Sequence, residues 1–312
     1  MNPTDTKFII DYNDEGKRID SFLSEAISDI SRSKIQNAIK NKKILVNNTP
    51  VKPSYSLKEN DIIICQDFSS ELYYIPPQNI PLDIVYEDEN MLVVNKPSGM
   101  LTHPTTTEKE NTLVNALKYK YGENLSDING EFRRGILHRL DRNTSGLLMV
   151  AKNNRAHEFL ANQIKEKTAI RKYLAVVKGG IDEDMILNYP IGRHKTQPQK
   201  MDVVFDEKGK PSLTELKVLE KFKDATFVEL TLRTGRTHQI RVHLSHIGHP
   251  IYNDTLYGFG KIKIKTEEQV LEAYKLKFTK PFGDEIIELE IPEDEKILRV
   301  LKFLKQNELK ES

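Results

Sequence analysis

The sequence has 312 residues, with 47 lysines and arginines against 46 aspartates and glutamates, so its formal net charge at pH 7 is +1. This near-neutral balance excludes a uniformly basic nucleic-acid coat and leaves only a local basic face. Without a membrane-length apolar run or a signal-like start, and with the single cysteine Cys65, we expect a cytoplasmic protein without membrane contact.

Residues 16–67 predict a small module of two helices and a hairpin. The apolar residues of the first helix recur at helical spacing and are Ile19, Phe22, Leu23 and Ile27. Ser31 is placed to cap the second helix. Two short apolar runs, residues 44–47 and 61–66, predict the strands of the hairpin.

This module contains a run of basic residues without any acidic residue between positions 30 and 58. A lysine run is usually only a solvated surface. The absence of interleaved carboxylates favours contacts with nucleic-acid phosphates instead. The residues that we predict to make these contacts are Arg32, Lys34, Lys40, Lys42, Lys43 and Lys52.

Residues 68–81 contain three prolines among polar residues and predict a linker, so we expect domains at residues 1–75 and 76–312. The second domain is predicted to be of the α+β class, with a mostly antiparallel mixed sheet and flanking helices. Its predicted strands are residues 84–86, 91–94, 171–178, 227–232, 276–279 and 286–291. Its predicted helices are residues 111–121, 154–167, 237–248 and 295–305.

Residues 135–152 contain the most distinctive stretch of the chain. Asp141 stands between Arg139 and Arg142, on a polar turn between two apolar runs. Positive neighbours lower the pKa of a carboxyl group, so Asp141 is expected to be ionised and able to act as nucleophile or charge stabiliser. An arginine–aspartate pair that only closes a loop has the same local composition, so these residues by themselves leave both interpretations open.

Residues 232–249 combine basic residues with four histidines. Thr237 is placed to cap a helix, and the helix N-terminus with Arg236, His238 and Arg241 would form an anion site. The histidines, which are His238, His243, His246 and His249, suggest a metal-dependent hydrolase as an alternative. No cysteine or carboxylate cluster completes the ligand spacing, so we expect no metal.

Three motifs together resemble the RluA-type RNA pseudouridine synthases. They are Asn95-Lys-Pro-x-Gly, the stretch at residues 135–152, and Gly235-Arg-Thr-His-Gln-Ile-Arg-x-His-Leu. The resemblance extends from about residue 82 to residue 292, and the module before it resembles the small RNA-binding domain first described in ribosomal protein S-four. The family usually has glycine where this chain has Asn253. Asparagine tolerates a left-handed backbone, so we expect that turn to be kept.

The resemblance implies a reaction in which uracil is detached from its ribose, rotated and rejoined through carbon 5. Asp141 aligns with the catalytic aspartate, which either adds to the sugar or abstracts a ribose proton. Arg241 would form an ion pair with Asp141, and Tyr173 would stack on the target base and assist a proton transfer. Arg139 would fill the gap left by the displaced uridine. Lys96 and His138 would support the site, and the isomerisation requires no cofactor or metal.

The implied substrate is RNA, and the two-domain arrangement is most similar to the branch that modifies 23S, the large-subunit ribosomal RNA. Two alternatives stay open beside it. One is the same reaction on transfer RNA, and the other is a non-catalytic RNA-binding assembly factor that uses the basic face. We expect a monomer, because RNA supplies the partner.

Overall fold

The structure is a computed structural model that describes residues 6–12, 14–27, 32–66, 75–105, 108–197, 199–258, 264 and 268–311. The side chains of Lys34, Lys310 and Glu311 are not described. Within the described residues, no helix has the length and apolar character needed to cross a membrane.

The strands, in chain order, are β1 Thr6–Ile9, β2 Ile44–Val46, β3 Thr49–Pro50, β4 Ile62–Cys65, β5 Ile84–Glu87, β6 Met91–Lys96, β7 Ser145–Ala151, β8 Ile170–Lys178, β9 Met185–Asn188, β10 Ile191–Arg193, β11 Met201–Val203, β12 Leu213–Phe222, β13 Ala225–Leu232, β14 Leu271–Thr279 and β15 Ile286–Glu290. The α-helices are α1 Ile19–Ala26, α2 Arg32–Lys40, α3 Leu113–Tyr121, α4 Asn154–Lys165, α5 Gln239–His246 and α6 Glu295–Glu311.

The chain divides into two compact units. The first comprises Met1–Leu82, Leu101–Leu137 and Val150–His157, and the second comprises Asp83–Met100, His138–Met149 and Glu158–Ser312. The first unit therefore includes two segments from beyond the expected linker. The domain limits at residues 75 and 76 stay a prediction, because the units interleave along the chain.

The N-terminal part of the first unit is a four-stranded sheet, in the order β1-β4-β2-β3, with α1 and α2. Both predicted helices are present, although Ser31, the predicted cap of α2, lies outside the described residues. The predicted strands are the antiparallel pair β2–β4, while β1 and β3 were not predicted. The buried core of this part includes Ile19, Leu23, Ile35, Ile39 and Ile63.

The large sheet follows the order β5-β6-β7-β14-β8-β13-β12-β9, with β15 paired to β14. The pairs β12–β13, β13–β8 and β14–β8 are antiparallel, and β14–β7 is parallel. The prediction of a mixed, mostly antiparallel sheet with helices is therefore confirmed. The segment from β9 to β12 was not predicted, and in it β10 and β11 form a separate antiparallel pair.

Strand β7 is buried along its whole length and begins directly after the turn that carries Asp141. Gly146 allows β7 to approach β14 closely: it has φ +115°, and a Cβ atom there would collide with the backbone of Ala273. The start of β7, and with it the end of the Asp141 turn, is therefore fixed against a central strand.

Candidate active site

Asp141 lies on the turn that precedes β7, and its side chain is 17% exposed. The turn is closed by a 3.1 Å hydrogen bond from the Thr144 amide to the Asp141 carbonyl oxygen. The carboxylate is thus held by a buried strand while it stays accessible to a small reacting group.

Arg241, in the first turn of α5, forms the predicted ion pair with Asp141. Its Nη1 donates to Asp141 Oδ2 at 2.9 Å. Its Nε and Nη2 donate to the two oxygens of Asp254 at 2.7 and 2.9 Å. The side chain of Asp254 is 0% exposed, and its Oδ1 also accepts the amides of Leu256 and Tyr257 at 3.0 Å each. Arg241 is therefore fixed by Asp254 in the orientation in which it meets Asp141.

The electrostatics keep Asp141 charged. Burial by itself would raise its pKa, but the electrostatic influence of the neighbouring His238, Arg241 and Arg139 and the Arg241 hydrogen bond hold the pKa of this carboxyl below its usual value. Burial likewise opposes the charged form of Arg241, yet the Asp254 bonds and the charge of Asp141 raise its pKa overall. The carboxylate is consequently ionised at neutral pH, as the sequence predicted.

His238 is a neighbour of Asp141 to which the sequence assigned only a general anion-binding role. Its Nε2 lies 3.8 Å from Asp141 Oδ2, and its Nδ1 lies 2.8 Å from the hydroxyl of Tyr257. His238, in the left-handed conformation at φ 56°, is the N-cap of α5 and makes no side-chain capping bond. The prediction that Thr237 caps this helix is therefore wrong, because the backbone turns at His238 and α5 begins at Gln239.

Lys96, as expected, supports the turn. Its fully buried Nζ donates to the carbonyl oxygens of Pro97, Met100 and Arg142 at 2.8, 2.8 and 3.1 Å. Three carbonyl acceptors match the three donors of an ammonium group, although burial lowers the pKa of Lys96 to about 7. Ser98 adds a 2.9 Å hydrogen bond from its Oγ to the carbonyl oxygen of Asn143.

The other side of the turn is held by residues that the sequence did not reveal. Gln269 Nε2 donates to the Thr144 hydroxyl at 2.7 Å. The Ser145 hydroxyl donates to Asp294 at 2.6 Å and accepts from Lys296 Nζ at 3.1 Å. Because these partners lie more than a hundred positions further along the chain, no local pattern indicates them.

His138, the other residue expected to support the site, accepts the Met149 amide on its Nε2 at 3.1 Å. Burial, with the nearby charge of Arg171, lowers the pKa of His138 to about 3, so the ring is neutral. It therefore links the start of the turn to β7.

Tyr173 lies in β8, where it is 4% exposed and stands opposite Leu230 of β13. Side chains alternate along a strand, so Tyr173 is on the same face as Arg171, whose charge acts on His138 near the Asp141 turn. Arg139 is exposed, and its charge acts on Asp141. Contact of either residue with a base stays a prediction.

The comparisons with known proteins agree with this geometry. The sequence model of the RNA pseudouridylate synthase family matches residues 90–246, and that of the S4 domain matches residues 17–63. The chain is 44% identical to YlyB of Bacillus subtilis, which is named an uncharacterized RNA pseudouridine synthase, over 94% of this chain and 96% of that relative. The chain belongs to the RNA pseudouridine synthase family.

Two further relatives of the synthase are informative. Ribosomal large subunit pseudouridine synthase D of Zymomonas mobilis is 37% identical, over 91% of this chain and 93% of the relative. The solved structure of human RNA pseudouridylate synthase domain containing 1 matches with a TM-score of 0.55 and 31% identity, covering 70% of this chain and 85% of that one. As a pseudouridine synthase, the protein is an isomerase, and its substrate is RNA.

The predicted basic residues of the synthase lie in its S4 domain. Lys40, Lys42, Lys43 and Lys52 are exposed, whereas the side chain of Lys34 is not described. The side chain of Arg32 is 51% exposed, but it donates a hydrogen bond to Asp20. The side chain of Asp20 is fully buried and also accepts hydrogen bonds from Arg18. Part of the Arg32 guanidinium is thus committed to the fold.

The four histidines at positions 238, 243, 246 and 249 have separate partners. His243 contacts the hydroxyl of Thr214 and the carbonyl oxygen of Tyr189, both at 3.0 Å. His246 packs on the Tyr189 ring at 4.7 Å, and His249 contacts the Lys178 carbonyl oxygen at 2.9 Å. Across the described part of the chain, no group of three or more potential ligands could hold a metal ion.

Asn253 adopts the expected left-handed conformation, with φ 58°. The residue that follows it, Asp254, carries a function that the sequence analysis did not assign. Its position directly after the Asn253 turn was the available signal, because a carboxylate at a tight turn can be a buried partner for an arginine. The expected turn therefore serves to deliver the Asp254 carboxylate to Arg241.

Proposed function

We propose that this synthase isomerises uridine to pseudouridine in large-subunit (23S) ribosomal RNA, with Asp141 as the catalytic residue. The observation that carries the proposal is the ionised Asp141 carboxylate, joined at 2.9 Å to an arginine that a buried carboxylate fixes. The RNA target is supported by relatives named ribosomal large subunit pseudouridine synthase D, which align over nearly the whole chain.

In the reaction, the bond between N1 of uracil and C1′ of ribose breaks and a bond between C5 and C1′ forms. C5 loses its proton, and N1 ends with one. Asp141 assists the first step by adding to C1′ or by removing a ribose proton, and a carboxylate suits both routes because positive charge develops on the sugar. Arg241 keeps the carboxylate charged and oriented for either route.

Tyr173 and Arg139 complete the proposed site. A uridine inside an RNA helix cannot reach Asp141, so the base must be unstacked or taken from a loop. Stacking on the Tyr173 ring compensates part of that cost, and Arg139 occupies the vacated place. The S4 domain holds the flanking RNA through phosphate contacts of Arg32, Lys34, Lys40, Lys42, Lys43 and Lys52.

A monomer in the cytoplasm is part of the same proposal. Its supports are the RNA partner, which supplies the second surface, and the single buried cysteine, Cys65, which forms no disulfide.

The test is pseudouridine mapping by carbodiimide labelling and primer extension. Total RNA is compared from cells with the gene deleted and from cells restored with wild type, Asp141→Asn or Asp182→Asn. Asp182 is 95% exposed and serves as the matched control. We expect a large-subunit ribosomal uridine to lose its mark on deletion and to regain it with wild type and Asp182→Asn only.

A mark that changes in transfer RNA alone would overturn the proposed target and keep the reaction. If no mark changes in either RNA, the protein acts as a binding factor under these conditions. Restoration by Asp141→Asn would overturn the role of Asp141.

A further inference from the structure

His238 has a backbone conformation that aims its ring at the catalytic carboxylate. At φ 56° and ψ 20° it is left-handed, which residues other than glycine adopt only at a cost in energy. Such positions often occur where a side chain must be placed for function. Here the turn sends the imidazole between Asp141 and Tyr257.

The hydrogen bonds of Tyr257 favour one of the two neutral tautomers of His238. The amide of Met201 donates to the Tyr257 hydroxyl oxygen at 2.7 Å, and an amide can only donate. This leaves the hydroxyl hydrogen available for the other contact, His238 Nδ1 at 2.8 Å. With Nδ1 accepting, the neutral imidazole carries its hydrogen on Nε2.

The protonated Nε2 faces Asp141 Oδ2 at 3.8 Å, on the same oxygen that accepts from Arg241. This separation is longer than a hydrogen bond, and catalytic hydrogen bonds commonly shorten when substrate is bound. Among the described residues, no hydrogen bond reaches Asp141 Oδ1, so this oxygen is left for the ribose. Burial lowers the pKa of His238, so the ring is neutral when the enzyme works.

We propose that His238 is a positioning residue, in which Tyr257 fixes the Nε2–H tautomer and that N–H holds Oδ2 of Asp141 so that Oδ1 faces the sugar. The proposal rests on the proposed function for its kinetic consequence only. The hydrogen bond from Met201 to Tyr257 also connects the β10–β11 pair to the site, because Met201 is the first residue of β11.

Two substitutions of His238 distinguish the loss of the Nε2–H donor from a loss of folding. The variant His238→Asn would tolerate the left-handed backbone and offer an acceptor to Tyr257, but its shorter side chain has no atom at the place of Nε2. The variant His238→Gln restores an N–H donor near that place. His246→Asn makes the same change at an exposed residue of the same helix and is the control.

We expect His238→Asn to lower kcat by about tenfold to a hundredfold with KM unchanged, because a displaced carboxylate loses alignment and not RNA affinity. His238→Gln should recover part of the loss. Tyr257→Phe should lower kcat several-fold in wild type and add nothing to His238→Asn, since both act through one chain of bonds. A wild-type kcat for His238→Asn or for Tyr257→Phe, or a loss confined to KM, would overturn the proposal.

The tautomer is measured without RNA. Long-range 1H–15N spectra of the histidine-labelled protein should show His238 neutral with its hydrogen on Nε2, and the Nδ1–H form would overturn the proposal. This spectrum identifies the tautomer whether or not the enzyme modifies ribosomal RNA. If the wild-type enzyme modified no ribosomal uridine, the proposed function would fail, but the proposed role of His238 would still be tested.

Discussion

The guanidinium of Arg241 is bound at two points to the fully buried carboxylate of Asp254, through hydrogen bonds of 2.7 and 2.9 Å. Two donors on one rigid plane fix the direction of the third, which meets Asp141. The positive charge that faces the proposed catalytic carboxylate is therefore held in place by the protein itself, as electrostatic preorganisation requires.

Arg241→Lys should separate charge from geometry at this point. A single ammonium nitrogen cannot replace the three separate guanidinium nitrogens that reach the two carboxylates. We expect kcat to fall at least about tenfold, and the free energy of unfolding to fall by about 2 kcal/mol because Asp254 keeps an incompletely paired charge. Single-turnover kinetics and denaturant unfolding measure the two effects.

The control for this substitution is Arg233→Lys. Arg233 also forms a two-point pair, with Glu215 at 2.8 and 3.0 Å, but on the surface, where such pairs contribute little. Equal losses in the two variants would show that the buried Asp254 has no special importance.

The lysines at the end of α2 and just after it test the RNA-binding surface. We predict that changing Lys40, Lys42 and Lys43 together to glutamine weakens RNA binding and lowers the slope of log K against log salt by up to about two. The kcat at saturating RNA should not change. The same change at Lys221, Lys302 and Lys305, which are also exposed, removes equal charge elsewhere, and filter binding over a salt series compares them. Identical slopes for the two triple variants would refute the assignment.

Substitution is preferable to deletion of residues 1–75, because Arg133 is ion-paired with Asp11 and Asp14. Removal of residues 1–75 would leave this guanidinium without its partners in the first compact unit. A deletion would then confuse lost RNA contacts with damaged folding.

The ion-paired, buried carboxylate of Asp20 should make the stability of the S4 domain sensitive to acid. The Arg18 hydrogen bonds, followed by those of Arg32 and Gln36, hold the pKa of its carboxyl well below the usual range despite burial. The stabilisation is fully present above the usual aspartate pKa of about 3.9 and is lost as the pH falls below it. Asp20→Asn should cost about 2 kcal/mol at pH 7 and flatten the loss between about pH 4 and 2. Hydrogen exchange of peptides from α1 and α2 measures the loss of stability at pH 7 and its dependence on pH. A pH profile of the variant identical to that of wild type would contradict the prediction.

The buried carboxyl of Glu272 should give the second compact unit the opposite dependence of stability on pH. Burial, aided by the charge of Asp294, raises the pKa of Glu272 to about 7. The folded state thus binds this proton more tightly than the unfolded state, so the contribution to stability falls as the pH rises from about 4.5 to 7. Glu272→Gln, which can still accept the Asp294 amide, should raise the melting temperature at pH 8 more than at pH 5. An equal shift at both pH values would argue against it, and Glu220→Gln is an exposed control.

Local patterns predicted much of the fold. The apolar run at residues 147–151 was evident because strand β7 is buried along its whole length. The alternation in β13 also predicted a strand, although the structure buries nearly all of its residues and not one face alone. Strand β12 was missed, although Thr214, Leu216 and Val218 alternate with charged residues. A bulge between Val218 and Glu220 breaks the period, so the pattern does not persist over the strand.

The candidate site was predictable to a different extent. Asp141 and Arg241 lie 100 positions apart, and only the resemblance of whole motifs placed them together. His238 as the N-cap was not predictable, because its left-handed backbone is imposed by packing and Thr237 is the better cap by residue type. Gln269, Asp294 and Lys296 act through contacts that exist only after the chain has folded.

The contact between Lys296 and Ser145 cannot form until late in the synthesis of the chain, so the site is incomplete before then. The two residues are 151 positions apart, which at about 5–20 residues per second corresponds to roughly 8 to 30 seconds of translation. Until α6 has emerged from the ribosome, the turn that carries Asp141 lacks this support. A nascent chain therefore has an incomplete candidate site until α6 is made, and a nonsense mutation shortly before α6 would weaken that site without removing one of the proposed catalytic residues.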